Sequence, residues 1–233
     1  MKVSRKTGLV IAVCVHAHAA SAQSPAAIVE DVKGQVAGLE TMDYLVSGRT
    51  LRLTRDETVV IGYLKSCVRE TIHGGTVKIG DKQSTVEAGV IERAKVECDA
   101  QGMMATPGQS LDSTGYVLRD GVIASERLPK APRAPAPQFT LYGSSPLIEL
   151  NGRGPLVIAR LDTKGEYFNF DIDQDMLLHG RFLDLAIAGK SLSPGGVYGA
   201  RWQKRLVVFK IDSAARPGAT PILGRLLRLG FTP

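Results

Sequence analysis

Apolar and polar residues along the chain mostly follow the two-residue period of β-strands. Leu51 and Leu53 alternate with polar neighbours, and Val59-Val60-Ile61 is a β-branched run typical of a strand that is covered on both faces. No segment keeps a convincing helical period over three turns. The pattern therefore predicts an all-β fold. Further strand-like runs lie at 156–161, 166–170 and 206–211.

Glycine-containing dipeptides predict where the strands reverse. Gly74-Gly75 stands between two strand-like runs, and Asp120-Gly121 stands between two others, so each pair predicts a two-residue hairpin turn. Residues 162–165 predict another turn. The segment 175–189 is ambiguous, since its apolar residues fit a short helix or a strand over 182–188.

The N-terminus has the three parts of a secretory signal peptide. A basic stretch with Lys2, Arg5 and Lys6 precedes an apolar run, and Ala20-Ser21-Ala22 supplies small residues for cleavage. The apolar run of about 12 residues is shorter than the roughly 20 that a spanning helix needs, which disfavours an uncleaved anchor. A lipoprotein signal at Cys14 is the alternative, and Val13 argues against it because the residue before such a cysteine should be small. The sequence predicts a periplasmic protein with no transmembrane segment after residue 22.

Three cysteines agree with export. Cys14 leaves with the signal peptide, so Cys67 and Cys98 remain as a pair in an oxidising compartment, which predicts a disulfide. Cys98 shares its strand phase with Ala94 and Val96, and we expect that phase to face inward. The alternative is a reactive Cys67 thiolate, which would compete with oxidation to Cys98.

A proline-rich segment divides the chain. Four prolines at 129–137 favour an extended, semi-rigid linker. The predicted organisation is a signal peptide at 1–22, a β-domain at 23–128, the linker at 129–137 and a second β-domain at 138–233. The first domain carries 12 basic and 15 acidic residues, and the chain from 129 onward carries 14 and 8. This asymmetry allows attraction between the halves or to an anionic surface, although a chance spread of surface charge explains it as well.

The net charge gives little reason to expect nucleic acid as a partner. The whole chain has 29 basic and 23 acidic residues, a net charge of +6, but three of the basic residues and none of the acidic ones lie in the signal peptide. The mature chain is therefore close to +3. Such a balance in an exported protein argues against nucleic-acid binding.

Residues 27–98 resemble the FecR-type periplasmic domain. The shared skeleton consists of turn and core positions at 32–36, 46–51, 57–61 and 74–79. The resemblance implies a small all-β module, a β-roll or sandwich, of the kind used in envelope-sensing or glycan-associated proteins, and it brings no catalytic residues. The chain departs from the family in its Cys67/Cys98 pair. It also lacks the transmembrane helix of the signal-transducing members, which argues against a direct sensor role.

The second half looks like an immunoglobulin-like sandwich. Leu192-Ser193-Pro194-Gly195 followed by a strand with Tyr198 resembles the turn and tyrosine-bearing strand of such domains. The resemblance implies that Tyr198 sits near a corner where its hydroxyl reaches the backbone. Architecture of this kind says almost nothing about function.

Asp171, Asp173 and Asp175 form the one dense carboxylate group. Their spacing is similar to the start of a calcium loop, but Met176 stands where that loop needs glycine and Phe182 where it needs a closing glutamate. Alternating aspartates are also typical of the wet face of a strand. The sequence thus predicts no firm metal site, and it contains no catalytic motif, no nucleotide-binding loop and no sign of a cofactor.

The segment around the single tryptophan is the candidate binding surface. Arg201, Trp202, Lys204 and Arg205 combine cations with an aromatic ring, which suits an anionic glycan, lipid headgroups or an acidic protein face. The alternative is a basic turn between strands with a partly buried tryptophan.

These observations predict an exported, non-enzymatic binding or scaffolding protein, or an envelope-sensing accessory, whose partner is an envelope protein or an anionic cell-wall glycan. One alternative is a glycan- or cell-wall-active hydrolase that takes its carboxylates from the Asp171–Asp175 cluster. Another is a structural protein that supports an envelope assembly through its sheet edges.

Overall fold

The computed structural model describes residues 24–103 and 135–230 in full, and the backbone of Met104 and of the strands at 116–119 and 122–125. The predicted signal peptide at 1–22 and residues 129–134 of the predicted linker lie outside the described residues. We call 24–104 the N-terminal half and 135–230 the C-terminal half. The predicted all-β class is confirmed, since β-strands supply nearly all the regular structure of the described residues.

The N-terminal half forms one sheet in the order β2-β1-β3-β4, with β5 and β6 both pairing with β4. Its long strands are antiparallel neighbours. Leu51 and Leu53 are buried and Val59-Val60-Ile61 is covered on both faces, as the pattern predicts. The strands are β1 (Ala27–Lys33), β2 (Tyr44–Leu45), β3 (Thr50–Tyr63), β4 (Val68–Lys78), β5 (Thr85–Glu87) and β6 (Val90–Lys95), and a short helix α1 (Ala100–Met104) follows.

The hairpin predicted at Gly74-Gly75 is wrong. Both glycines lie inside β4 at φ values of 61° and 85°, and they bend the strand instead of reversing it. A Cβ on Gly75 would lie 2.4 Å from the carbonyl oxygen of Glu87, so the turn between β5 and β6 packs directly on this bend. Here the positive φ values bend β4 between its first part, which pairs with β6, and its last part, which pairs with β5.

The C-terminal half contains two sheets. The larger has the order β12-β11-β14-β15-β9 and the smaller the order β13-β10-β16. The pairs β15–β9 and β10–β16 are parallel. The strands are β9 (Phe139–Gly143), β10 (Leu147–Glu149), β11 (Gly154–Arg160), β12 (Tyr167–Ile172), β13 (Phe182–Asp184), β14 (Val197–Trp202), β15 (Arg205–Arg216) and β16 (Leu226–Arg228).

The small sheet is a middle layer between the other two. On one of its faces, Ile148, Leu183 and Leu227 join the core of the large sheet. On its other face, Leu147, Phe182 and Leu226 pack with residues of the N-terminal half, including Ile28, Leu64 and Met103. Strands covered on both faces bury almost every residue, which explains the short apolar sequences of β10, β13 and β16. The two halves therefore share a core, while the predicted domain boundary at 129–137 stays a prediction.

Several local expectations can be compared with the structure. The turn at 162–165 is confirmed between β11 and β12. The strands β7 (Tyr116–Arg119) and β8 (Val122–Ser125) pair as predicted, and their turn residues lie outside the described residues. The ambiguous segment contains a 3₁₀ turn at Gln174–Met176 and then β13. The inward phase is wrong for Ala94, which is exposed, although Val96 and Cys98 do pack against the shared core.

The predicted disulfide is present. It joins Cys67, at the turn between β3 and β4, to Cys98, beyond the end of β6, with the Cα atoms 5.7 Å apart. The bond attaches the chain just before α1 to the turn between β3 and β4. In the described residues, every helix is too short or too polar to cross a bilayer.

Candidate functional site

Charged side chains that lie between the layers hold the two halves together. Glu149 projects from β10 toward the N-terminal half and is 4% exposed. It accepts hydrogen bonds from the Tyr44 hydroxyl and from Arg228 Nε, each over 2.8 Å. Arg181 Nε lies 3.7 Å from the other carboxylate oxygen. A single carboxylate thus links β2 of one half to β16 of the other.

Two guanidinium groups surround the ring of Tyr44. Arg181 lies 4.8 Å and Arg228 lies 5.2 Å from its centroid, and the ring of Phe182 is tilted against it at 6.0 Å. Burial, together with the nearby Glu149 carboxylate, raises the pKa of Tyr44 well above its ordinary value. Its hydroxyl therefore stays protonated and acts as a hydrogen-bond donor over the whole physiological range.

Two more carboxylates are buried, one that bonds across the junction and one that pairs within the C-terminal half. Glu30 on β1 accepts from Arg69 Nε over 2.8 Å and from the Ile222 amide of the other half over 3.1 Å. The Asp184 carboxylate accepts hydrogen bonds from Nη1 and Nη2 of Arg225, at 2.8 and 2.9 Å, and each of the two side chains is 2% exposed. Arg225 also donates to two backbone carbonyls. These groups are saturated by one another and by the backbone, and they act as structural links.

A groove follows the outer edge of the junction. It has a volume of about 350 Å³ and combines Val96 and Glu97 of the N-terminal half with Tyr142 and Arg216 of the C-terminal half. We call it the junction groove. Glu97 and Arg216 are exposed, so the groove offers both charges to solvent beside an aromatic ring.

A second hollow of about 440 Å³ shares the segment Pro217-Gly218 with the junction groove. Its charged lining residue is Lys190, which is exposed, and the side chain of Ile187 on its wall is 69% exposed. The two hollows therefore share one wall segment, and each has a cation in its lining, with Glu97 as the acidic residue of the junction groove.

The structure places the predicted binding surface differently. Trp202 is 1% exposed, and its indole nitrogen donates to Asn151 Oδ1 over 2.9 Å, so its ring is not offered to a ligand, in agreement with the alternative of a basic turn with a buried tryptophan. Arg205 donates to the Leu229 carbonyl over 2.9 Å. Arg201 is half-buried and Lys204 is exposed, at the β14–β15 hairpin. The hairpin offers charge to the solvent, without an aromatic platform.

The predicted calcium candidates do not converge. Asp173 caps the 3₁₀ turn by accepting from the amides of Asp175 and Met176 at 3.1 and 3.2 Å. Asp171 and Asp175 are exposed. Within the described ranges, His, Cys, Asp and Glu side chains form no group of three that could hold a metal ion.

Tyr198 does reach the backbone as the resemblance implies. Its hydroxyl accepts from the Ser193 amide over 2.8 Å and donates to Glu166. Burial and the bond to Glu166 raise the pKa of Tyr198 above its ordinary value. Beside it, Arg160 Nε donates a hydrogen bond to Asp162. Burial raises the pKa of the Asp162 carboxyl, but the hydrogen bond from Arg160 lowers it, and the pKa lies below its ordinary value.

The buried ion pairs were missed by the sequence analysis, although the sequence contains a signal for them. Each of the buried carboxylates directly follows an apolar run, as in Ala-Ile-Val-Glu30, Leu-Ile-Glu149 and Phe-Leu-Asp184. A lone charge in a buried strand needs a partner, so such positions predict pairing. Which charges pair depends on the layer order, which the sequence does not show.

Comparison with protein-family models, with curated proteins and with solved structures finds no significant match.

Proposed function

We propose that this chain is an exported, non-enzymatic protein of the periplasm that binds or scaffolds components of the envelope. The observation that carries the proposal is the junction, in which shared apolar packing and the buried hydrogen bonds of Tyr44 to Glu149 and of the Ile222 amide to Glu30 join the two β-halves beside an open groove. Preformed concave surfaces at such junctions are common binding sites. The disulfide is in keeping with an oxidising compartment.

The partner that the junction groove suits best is an acidic envelope protein or an anionic cell-wall glycan. Arg216 in the groove and Lys190 in the neighbouring hollow present two positive charges near Pro217-Gly218, against the single exposed acid Glu97. The FecR-type resemblance of residues 27–98 supports the same setting. The charged hairpin with Arg201 and Lys204 is a second contact surface within this proposal.

In-cell cross-linking of the tagged chain, followed by mass spectrometry, tests the proposal. We expect reproducible capture of one envelope protein, with cross-links that map to residues of the junction groove. Arg216→Glu should reduce the capture, whereas Arg153→Glu should not, because Arg153 is exposed and lines neither hollow. If no protein is captured, the same variants are compared for retention on anionic cell-wall fragments. Equal behaviour of both variants in both assays contradicts the proposal, as does recovery of the chain only from the cytoplasm.

A further inference from the structure

β12 is an edge strand of the large sheet. Among the described residues it pairs only with β11, and its other edge carries no strand. Arg160 N donates to the Glu166 carbonyl at the start of this pairing. In an antiparallel ladder the bonding direction alternates with each residue. The amides and carbonyls of Tyr167, Asn169 and Asp171 therefore point away from β11, toward solvent.

This edge lacks the features that usually protect a strand from pairing with another chain. Natural edges carry lysine, proline or bulges. The edge strand β6 of the N-terminal sheet follows this rule, with Glu92 and Lys95 exposed on it. β12 has the sequence Tyr-Phe-Asn-Phe-Asp-Ile, with one charge in six residues and no lysine or proline.

The side chains on this edge are aromatic and only partly covered. Tyr167 is 44% exposed. Phe168 and Phe170 are half-buried at the margin of the large core, with ring centroids 6.3 Å apart and nearly parallel. Apolar area of this kind is further buried when a strand is added beside it.

We propose that β12 is a homodimer interface, in which it pairs antiparallel with β12 of a second copy around a twofold axis at Asn169. Phe-Asn-Phe is symmetric about that axis, so Phe168 of each copy lies opposite Phe170 of the other. These are the non-hydrogen-bonded positions, where side chains approach most closely. Tyr167 lies opposite Asp171, and in this register no like charges on the strand face each other.

The turns on either side of β12 add charge complementarity. Lys164 is exposed just before the strand, and Asp173 and Asp175 are exposed just after it. Antiparallel pairing brings the Lys164 turn of one copy to the aspartate turn of the other, twice across the axis. The same sequence that resembled a calcium loop thus serves as the acidic side of a self-complementary contact.

Sedimentation of the purified chain tests the proposal. Strands this short bury a small area, so we expect weak association, measured up to about 1 mM chain. Asn169→Lys places like charges opposite each other and should lower the association constant at least about tenfold. Asn169→Thr keeps a β-compatible polar pair and should associate like the native chain. Both variants should have the same midpoint of urea unfolding as the native chain, because Asn169 is exposed.

Cysteine cross-linking checks the register. Asn169→Cys places two thiols on the axis, with Cα atoms about 5.5 Å apart, within disulfide range. Asp171→Cys is the matched control, because its two copies lie roughly 14 Å apart along the strands. We expect a covalent dimer from the first variant only. A chain that stays monomeric up to about 1 mM overturns the proposal, and so does equal association of the lysine variant or cross-linking through position 171 instead of 169.

Discussion

Glu149 and Arg228 lie directly opposite each other on the parallel strands β10 and β16, and Arg228 Nε donates to Glu149 Oε2 over 2.8 Å. Each side chain is 5% exposed. The pair sits on the face of the middle sheet that meets the N-terminal half, where Tyr44 completes it. A buried charge without its partner is strongly unfavourable, so this pair stabilises the C-terminal half, and the hydrogen bond from Tyr44 joins it to the N-terminal half.

Glu149→Gln should lower the free energy of unfolding by about 3–5 kcal/mol, because it leaves the Arg228 charge buried without its counter-charge. Urea unfolding followed by circular dichroism measures this loss. Glu40→Gln is the matched control, since Glu40 is also a paired carboxylate, 3.1 Å from His179 Nδ1 of the other half, but its side chain is 71% exposed. We expect the control to change stability by less than about 0.5 kcal/mol. Equal losses in the two variants would mean that the junction does not depend on the buried pair.

Reduction of the Cys67–Cys98 disulfide should lower the free energy of unfolding by about 3–4 kcal/mol. The bond closes a loop with a sequence separation of 31, and opening it raises the conformational entropy of the unfolded chain. Urea unfolding with and without dithiothreitol measures the difference. The double variant Cys67→Ser/Cys98→Ser controls for other effects of the reductant and should unfold identically in both conditions. A chain equally stable in either state would assign the bond no structural role.

The sequence predicted the strands well because their signals are local. Leu51, Leu53 and the run at 59–61 alternate or cluster in ways that reflect which face is covered. The Cys67–Cys98 bond followed from compartment and parity alone. Gly74-Gly75 misled because positive φ serves a bend within a strand as readily as a hairpin turn, and only the position of β5 and β6 distinguishes them.

The candidate site was harder to predict because it depends on contacts between residues far apart in sequence. Glu30 meets the Ile222 amide across 192 positions, and Tyr44 meets Glu149 across 105. Nothing local shows that β10, β13 and β16 form a middle layer. For Trp202 the cationic neighbours left both a surface ring and a partly buried ring open, and strand alternation, which turns its ring inward while Arg201 points the other way, decides between them.

Alkaline pH should reveal the burial of Tyr63. Burial raises its pKa to about 12 from an ordinary value of 10.0, and its hydroxyl is hydrogen-bonded to Ser84. Below the ordinary pKa both states keep the proton, so the stabilisation is fully present. Between the two values the unfolded chain ionises first, so stability falls as the pH rises through the folded pKa.

We therefore expect Tyr63→Phe to lose less stability than the native chain between about pH 10 and pH 12, with a difference of about 1–3 kcal/mol. Urea unfolding at a series of pH values measures both curves. The variants share every other titrating group, including Tyr44 and Tyr198, so their difference isolates Tyr63. Parallel curves would show that the Tyr63 phenol ionises equally in both states.

Trp202→Ala separates a core role from a ligand-binding role for the only tryptophan. Its ring is 1% exposed and packs in the core of the C-terminal half, so truncation should cost about 3–5 kcal/mol. Lys204→Ala, on the exposed side of the same hairpin, should change stability by less than about 0.5 kcal/mol. In the native chain, Trp202 fluorescence should resist quenching by acrylamide until urea unfolds the protein. Ready quenching of the folded chain, with little loss of stability in Trp202→Ala, would instead show that the ring is exposed and would favour a role in ligand binding.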